Sequence, residues 1–326
     1  MGRHTVLPHD PVVVLLETVH PDAETILSAV GRVVLASEPT TLPDVDRSAV
    51  VAIVTRGRGR VDAELLDQLP CLRVVARCGA GLDNIDVDAA DGRDVVVVHA
   101  PGVTTNAVAE HAFALTLALA RRLVPLANSV TGGDWSTRDR YEGFELHGRR
   151  LGVLGLGRIG RRVADLGRAF GMDVVAWTRR GADDAIPCRS LDEVFSTSDV
   201  IHVCTASTPE TRHLVGADEL ALVRPGTLLV NTARGAIVDT SAVAAAIHDG
   251  RLGGYAADVW DPEPPPADEC LLAYPRVVVT PHVAALTDTT YRRLCVGPAE
   301  AVAAVVRGHE PDSAFVHRRE PDRSST

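Results

Sequence analysis

The chain has 326 residues, long for one ordinary α/β domain and suited to two, and its 46% hydrophobic and 23% charged residues are those of a soluble globular protein. A formal net charge of −10 argues against a nucleic-acid partner. All 33 basic residues are arginine, a bias that a GC-rich genome accounts for, so a lysine Schiff base or lysine general base is excluded.

The first residues, Met1 to Pro8, hold no apolar core of signal-peptide length. Strands are expected near Val12–Leu16, Arg32–Leu35, Val51–Val54, Arg73–Ala76 and Val95–His99, with helices near Asp22–Val30 and Asp62–Leu69. β-branched runs alternating with helical stretches predict a parallel, doubly wound sheet. None of these early turns carries G-x-G-x-x-G, so this unit has no dinucleotide of its own. A long Ala/Leu-rich helix follows from Thr104 to Arg122, with Thr104 or Thr105 placed to cap it. It is apolar around much of its circumference, which predicts burial between domains or at a subunit interface. No uninterrupted apolar run reaches membrane-spanning length, and the nearest, Ala107 to Ala120, carries Glu110 and His111. A glycine-rich polar loop is expected from Thr131 to Gly143, around Trp135.

The second unit's strands are expected at Leu151–Leu154, Asp173–Trp177, Val200–Val203, Thr227–Val230, Gly254–Ala257 and Val277–Thr280. A last helix, about Thr287 to Arg307, returns to pack on the first unit, and the tail after Gly308 is polar. The organisation predicted is therefore a discontinuous substrate-binding domain, residues 1–101 plus 287–326, around a dinucleotide domain, residues 102–286. Cys71, Cys78, Cys188, Cys204, Cys270 and Cys295 are scattered without a C-x-x-C pair, which reads as reduced thiols in the cytoplasm and no metal site.

Gly155-Leu156-Gly157-Arg158-Ile159-Gly160 completes G-x-G-x-x-G between a strand and an amphipathic stretch (Val163, Leu166, Phe170). Gly155 permits the tight turn, Gly157 lets the backbone approach a pyrophosphate, and Gly160 lets helix and strand pack closely. A nicotinamide or flavin dinucleotide is expected there. Three further segments follow predicted strands, at the carboxyl edge where open sheets bind ligands: Asn231–Gly235, Asp258–Pro264 and Thr280–Ala284. They bring an arginine, a glutamate and a histidine to one edge. An arginine fork binds a carboxylate and polarises the neighbouring carbonyl. A histidine passes a proton to the carbonyl oxygen as hydride arrives at carbon, and a carboxylate beside it favours the imidazolium.

With Arg77–Asp86 and Asn106–His111, these motifs resemble the D-isomer-specific 2-hydroxyacid dehydrogenases, most closely their D-3-phosphoglycerate dehydrogenase-like branch, over roughly residues 50 to 308. The resemblance implies an α/β fold of two Rossmann-like doubly wound parallel-sheet domains with the active site in the cleft between them. It implies NAD(P), a small 2-oxo or 2-hydroxy acid as substrate, and a homodimer with the Thr104–Arg122 helix and the following loop at its interface. His282 would be the acid/base, Glu263 its partner and Arg234 the substrate anchor. Gly155, Gly157, Arg158, Ile159, Gly160, Thr178, Arg179, Thr205, Ala233 and Asp258 would contact the cofactor, Asp258 at the nicotinamide carboxamide. Gly79, Ala80 and Gly81 would offer backbone N–H groups to the substrate carboxylate. Arg56 and Arg60 would lie near a distal phosphate, with Arg77 close by; the counter-reading is a Gly/Arg surface turn.

Two departures from the family pattern stand out. Thr178, followed by Arg179 and Arg180, occupies the place of the acidic residue that binds the ribose 2′-hydroxyl in NAD-preferring members, which favours NADP over NAD. Cys204 and Ala206 stand where relatives usually show histidine and proline, a change in the adenine-side pocket. A regulatory domain after the catalytic core, as some phosphoglycerate dehydrogenases carry, is not expected. Two other roles fit the same motifs: a nicotinamide-sensing corepressor, as in an animal branch of the family, and phosphite oxidation. Formate dehydrogenase relatives place Gln where Glu263 stands.

Overall fold

The computed structural model describes residues 7–179 and 181–317. It forms two compact units, Met1–Thr104 with Thr287–Thr326, and Thr105–Leu286. The first begins with β1 (Val12–Leu15), α1 (Pro21–Ser28), β2 (Arg32–Leu35), β3 (Val50–Thr55), α2 (Ala63–Asp67), β4 (Val74–Arg77), α3 (Val87–Asp91) and β5 (Val96–Val98). Its five strands are parallel in the order β2-β1-β3-β4-β5. β1 and β3 are buried on both faces, which is why they read as unbroken Val/Ile/Leu runs instead of alternating ones. Short helices start where a side chain satisfies their first amides: Asp62 accepts from Leu65 N–H and Asp86 from Ala89 N–H.

The second unit comprises α4 (Thr105–Ala120), α5 (Leu123–Thr131), β6 (Arg150–Leu154), α6 (Arg158–Ala169), β7 (Asp173–Trp177), α7 (Leu191–Thr197), β8 (Val200–Val203), α8 (Ala217–Leu222), β9 (Thr227–Asn231), α9 (Thr240–His248), β10 (Leu252–Ala257) and β11 (Val277–Val279). Its six strands are parallel in the order β11-β10-β9-β8-β6-β7, and Cys188 adds a bridge outside β7 at Ala176. The chain reverses direction across the sheet between β6 and β8, the crevice where such sheets bind dinucleotides.

The helix expected at Thr104–Arg122 forms as α4, and a second helix, α5, follows it at 62°, the chain turning where Arg122 takes a left-handed φ of 50°. The second helix tolerates Pro125 because that residue falls in its first turn, where no intrahelical donor is lost. A short 3-10 helix, Ser136–Arg140, interrupts the expected loop. The apolar surface of α4 is covered inside the second unit: Ala109, Ala112, Phe113, Leu115 and Leu119 join a core with Leu151, Val153, Val163, Leu228 and Val230. Among the described residues no single helix is long and apolar enough to cross a membrane.

Past Leu286 the chain re-enters the first unit as α10 (Asp288–Val306), capped by Thr287, which accepts from Thr290 N–H. Cys295, Ala299, Val302 and Val306 complete a core with Val13, Leu15, Leu27 and Val54.

Candidate active site

The fingerprint turn has the shape a pyrophosphate needs. Gly155 sits at φ 103°, and a Cβ there would lie 2.7 Å from the Thr205 Cα. A Cβ at Gly160 would lie 1.9 Å from the Gly155 carbonyl oxygen, so helix and strand approach as closely as backbone allows. At Gly157 nothing lies within 4 Å of the same position. Gly157 also caps α6 without a side-chain hydrogen bond, leaving the first helical amides, with Arg158 and Ile159 in that turn, open to an anion. The residues present fit a dinucleotide.

Thr178 directly follows β7 and is half-buried; Arg179 next to it is exposed, and Arg180 lies outside the described residues. The nearby acid, Asp183, is committed elsewhere, to the Arg161 guanidinium and the Ala185 and Ile186 amides. Trp177, Thr178, Gly181, Arg189 and Glu193 line an open groove of about 640 Å³. Cys204 packs under the fingerprint, 3.3 Å from the position a Gly160 Cβ would take.

Arg234, Glu263 and His282 come together at the carboxyl ends of β9, β10 and β11. His282 Nδ1 lies 2.8 Å from Glu263 Oε2, and Glu263 Oε1 accepts from Trp260 N–H at 3.0 Å. Burial pushes the Glu263 carboxyl up, but the hydrogen bonds from His282 and Trp260 and the charges of His282 and Arg234 outweigh it, holding the carboxyl below the usual glutamate range. A carboxylate has no proton to give, so Nδ1 carries the hydrogen and Nε2 is the atom left to exchange a proton with substrate. His282 adopts a left-handed φ of 55°, a conformation that a non-glycine residue keeps only where its surroundings impose it.

Backbone contacts fix the Arg234 loop. A Cβ at Gly235 would lie 2.0 Å from the Trp260 carbonyl carbon, so only glycine lets this loop press against the Asp258–Glu263 segment. Asn231, fully buried, donates to the Arg234 carbonyl at 2.9 Å and accepts from Ala233 N–H at 3.0 Å. Asp258 is also buried; Oδ1 accepts from the Thr280 hydroxyl (2.6 Å) and Val283 N–H (2.9 Å), and Oδ2 from Ala284 N–H (2.9 Å). Oδ2 retains one acceptor position for a nicotinamide amide.

In the first unit, the expected anion-binding residues are used differently. Gly79 donates its N–H to the Arg77 carbonyl at 2.8 Å, which removes it from the expected donors to substrate. The Ala80 carbonyl accepts from His99 Nδ1 at 2.8 Å. The turn after β3 wraps an internal carboxylate: Glu17 Oε2 accepts from the Thr55 hydroxyl and the N–H groups of Arg56, Gly57, Arg58 and Gly59 at 2.8–3.2 Å. Arg58 lies 3.7 Å from Glu17, and Arg60, expected at a distal phosphate, pairs with Asp62 at 3.5 Å. Arg56 covers the Tyr291 ring at 5.1 Å.

Sequence reasoning gave no role to Asn231, Thr280, Trp260 and His111, which hydrogen-bond to the Arg234 loop, to Asp258, to Glu263 and to Thr280 respectively. Their one sequence signal is position, immediately beside the strand-end motifs or, for His111, within Asn106–His111.

Comparison with known proteins agrees with this geometry. Residues 113–284 match the profile of the D-isomer specific 2-hydroxyacid dehydrogenase, NAD binding domain. A glyoxylate reductase from Aeropyrum pernix is 40% identical over 80% of this chain and 81% of its own length. A D-3-phosphoglycerate dehydrogenase from Mycobacterium tuberculosis is 41% identical over 81% of this chain but 51% of its own. The chain thus spans about half the length of the phosphoglycerate dehydrogenases it matches. Among solved structures, an NADPH-dependent glyoxylate/hydroxypyruvate reductase from Sinorhizobium meliloti, in complex with NADP and malonate, superposes with a TM-score of 0.84 at 28% identity, covering 95% of this chain and 100% of the other. With its two parallel sheets, its glycine fingerprint and its Arg234, Glu263 and His282 at three strand ends, the chain belongs to the D-isomer specific 2-hydroxyacid dehydrogenase family and is an NAD(P)-dependent oxidoreductase of 2-hydroxy acids.

Proposed function

We propose that the chain reduces a short 2-oxo acid, of the size of glyoxylate or hydroxypyruvate, to the D-2-hydroxy acid, with NADPH preferred over NADH. The His282–Glu263 hydrogen bond at 2.8 Å carries this reading. Bound nicotinamide supplies the hydride. Arg234 holds the acid's carboxylate as a two-pronged donor. His282, charged against Glu263, releases the Nε2 proton to the carbonyl oxygen as C2 is reduced.

The choice of a short acid rests on the β3–α2 turn. Its amides already hold Glu17, and Arg58 and Arg60 have carboxylates of their own. Arg56, facing Tyr291, favours a second reading, a phosphorylated 2-oxo acid such as 3-phosphohydroxypyruvate. The NADPH preference rests on Thr178 beside Arg179, with Asp183 bound to Arg161. The chain acts as a homodimer through α5 and the segment to Trp135, where Leu123, Val124, Val130 and Trp135 are exposed.

Loss of reduced-nicotinamide absorbance, with each cofactor against glyoxylate, hydroxypyruvate, pyruvate and 3-phosphohydroxypyruvate, tests the chemistry. Oxidation of NADPH by the short acids supports the reading, and turnover of the phosphorylated acid alone selects the second. Failure with every acid, despite tight cofactor binding, shifts the assignment to a nicotinamide-sensing role or to phosphite oxidation. Thr178→Asp should raise the KM for NADPH roughly tenfold or more, the worth of one charge-assisted contact, and spare NADH. Light scattering at the mass of one chain would remove the dimer.

A further inference from the structure

His111, on α4, stands in a chain of hydrogen bonds that ends at the turn carrying His282. Its Nε2 lies 2.9 Å from Thr280 Oγ1, and Thr280 Oγ1 lies 2.6 Å from Asp258 Oδ1. Chemistry fixes the direction of these bonds. The Asp258 carboxylate only accepts, so the one Thr280 hydroxyl proton goes to Asp258. The Thr280 oxygen then accepts from His111, which must carry its hydrogen on Nε2. His111 Nε2 is also 3.6 Å from Asp258 Oδ1.

Asp258 grips the turn at several points. Its carbonyl accepts the His282 N–H at 2.8 Å, and its carboxylate takes the N–H groups of Val283 and Ala284. The left-handed conformation of His282 lies between these anchors. The His282 ring is itself exposed, with Glu263 as its side-chain partner, so the direction of Nε2 follows from the turn and that one bond.

We propose that His111 is a positioning residue for His282, acting through Thr280 and Asp258 to hold the turn that aims Nε2 at substrate; this rests on the reading of His282 as the proton donor. His111→Phe removes the donor to Thr280 and leaves the Thr280–Asp258 bond. Thr280→Val removes both bonds. One hydrogen bond corresponds to a factor of roughly two to twelve, so kcat should fall about fivefold in His111→Phe and at least tenfold in Thr280→Val. The KM for the acid should stay within about twofold, because Arg234 is not touched. His111→Gln, whose amide N–H can reach the same oxygen, should recover most of the loss.

The measurement is kcat per dinucleotide-binding site, together with the solvent isotope effect, which should rise when the donor is misaimed. A merely structural role lowers the number of competent sites and leaves kcat per site unchanged. A Thr280→Val protein with kcat per site within twofold of wild type overturns the proposal while the hydride-transfer reading stands. Wild type inert toward every acid removes that reading instead. The amide proton signals of Val283 and Ala284 and the ring nitrogens of His282 then decide: displacement in Thr280→Val upholds the held turn, and unchanged signals overturn it.

Discussion

Replacing Glu17 by glutamine tests whether the turn after β3 is held by its own internal anion. One carboxylate oxygen receives a hydroxyl and four consecutive backbone amides, and the group is buried. A hydrogen bond to a charged group contributes about 1.5–3 kcal/mol and a neutral one about 0.5–1.5. Five donors on one oxygen cannot each reach full strength, so two full equivalents is a fair count, and Glu17→Gln should cost about 2–3 kcal/mol. For a unit of this size that is a fall of roughly 5–10 °C in its melting temperature. Burial pushes the Glu17 carboxyl up, but the amides of Gly57, Arg56 and Gly59 and the Thr55 hydroxyl outweigh it, and the pKa lies below the ordinary 4.5. The folded pKa is thus the lower one, so the contribution is complete above the unfolded pKa and is lost as pH falls through the folded value. Because two units need not melt as one, hydrogen exchange at the amides of Arg56 to Gly59 is the sharper assay. Protection of these amides should collapse in Glu17→Gln. Unchanged protection, or melting within 1 °C or so of wild type across pH, would refute the internal-anion account.

Three other substitutions probe the second unit. Glu263→Gln should lower kcat by roughly 10²-fold; wild-type activity should persist as pH falls through 4.5 and fail only below it, a limb absent from the variant's kcat/KM profile. Asn231→Ala leaves the Arg234 carbonyl and Ala233 N–H without their partner, so a destabilisation of about 2–4 kcal/mol in urea and a raised KM for the acid are expected. His202 is buried with Nε2 2.8 Å from Thr116 Oγ1, and burial pushes its imidazole from 6.5 down to about 3. The unfolded chain therefore takes up the proton first, and stability is lost as pH falls from 6.5 towards 3, on the order of 5 kcal/mol in all. The difference between wild type and His202→Gln in urea midpoint against pH should trace that window; parallel curves would contradict it.

Much of this architecture was legible because parallel strands buried on both faces write themselves as Val/Ile runs. Asp173–Trp177 and Val200–Val203 emerge with the bounds read from the sequence. The strand-end residues Arg234, Glu263 and His282 were legible because ligand sites follow strands, and their types suit one reaction. The α4–α5 break was not, because Arg121-Arg122 carries no helix-breaking residue and only the backbone shows the left-handed φ at Arg122. The Gly/Arg turn misled for a different reason. Its glycines and arginines announce an anion, but the anion lies 39 residues earlier at Glu17, a pairing that only the tertiary fold reveals. The supports of His282 were hidden likewise: His111 and Thr280 are 169 residues apart.

The return of α10 to the first unit sets an order of assembly during synthesis. The sheet of β1 to β5 leaves the ribosome with one face covered only by α1, since Cys295, Ala299 and Val302, which complete that cover, come after all of Thr105–Leu286. At about 5–20 residues per second that wait is roughly ten to forty seconds, while the uninterrupted second unit can finish folding alone. The unit made first is therefore completed last, and its Val-rich strands are the part of the nascent chain most in need of a chaperone.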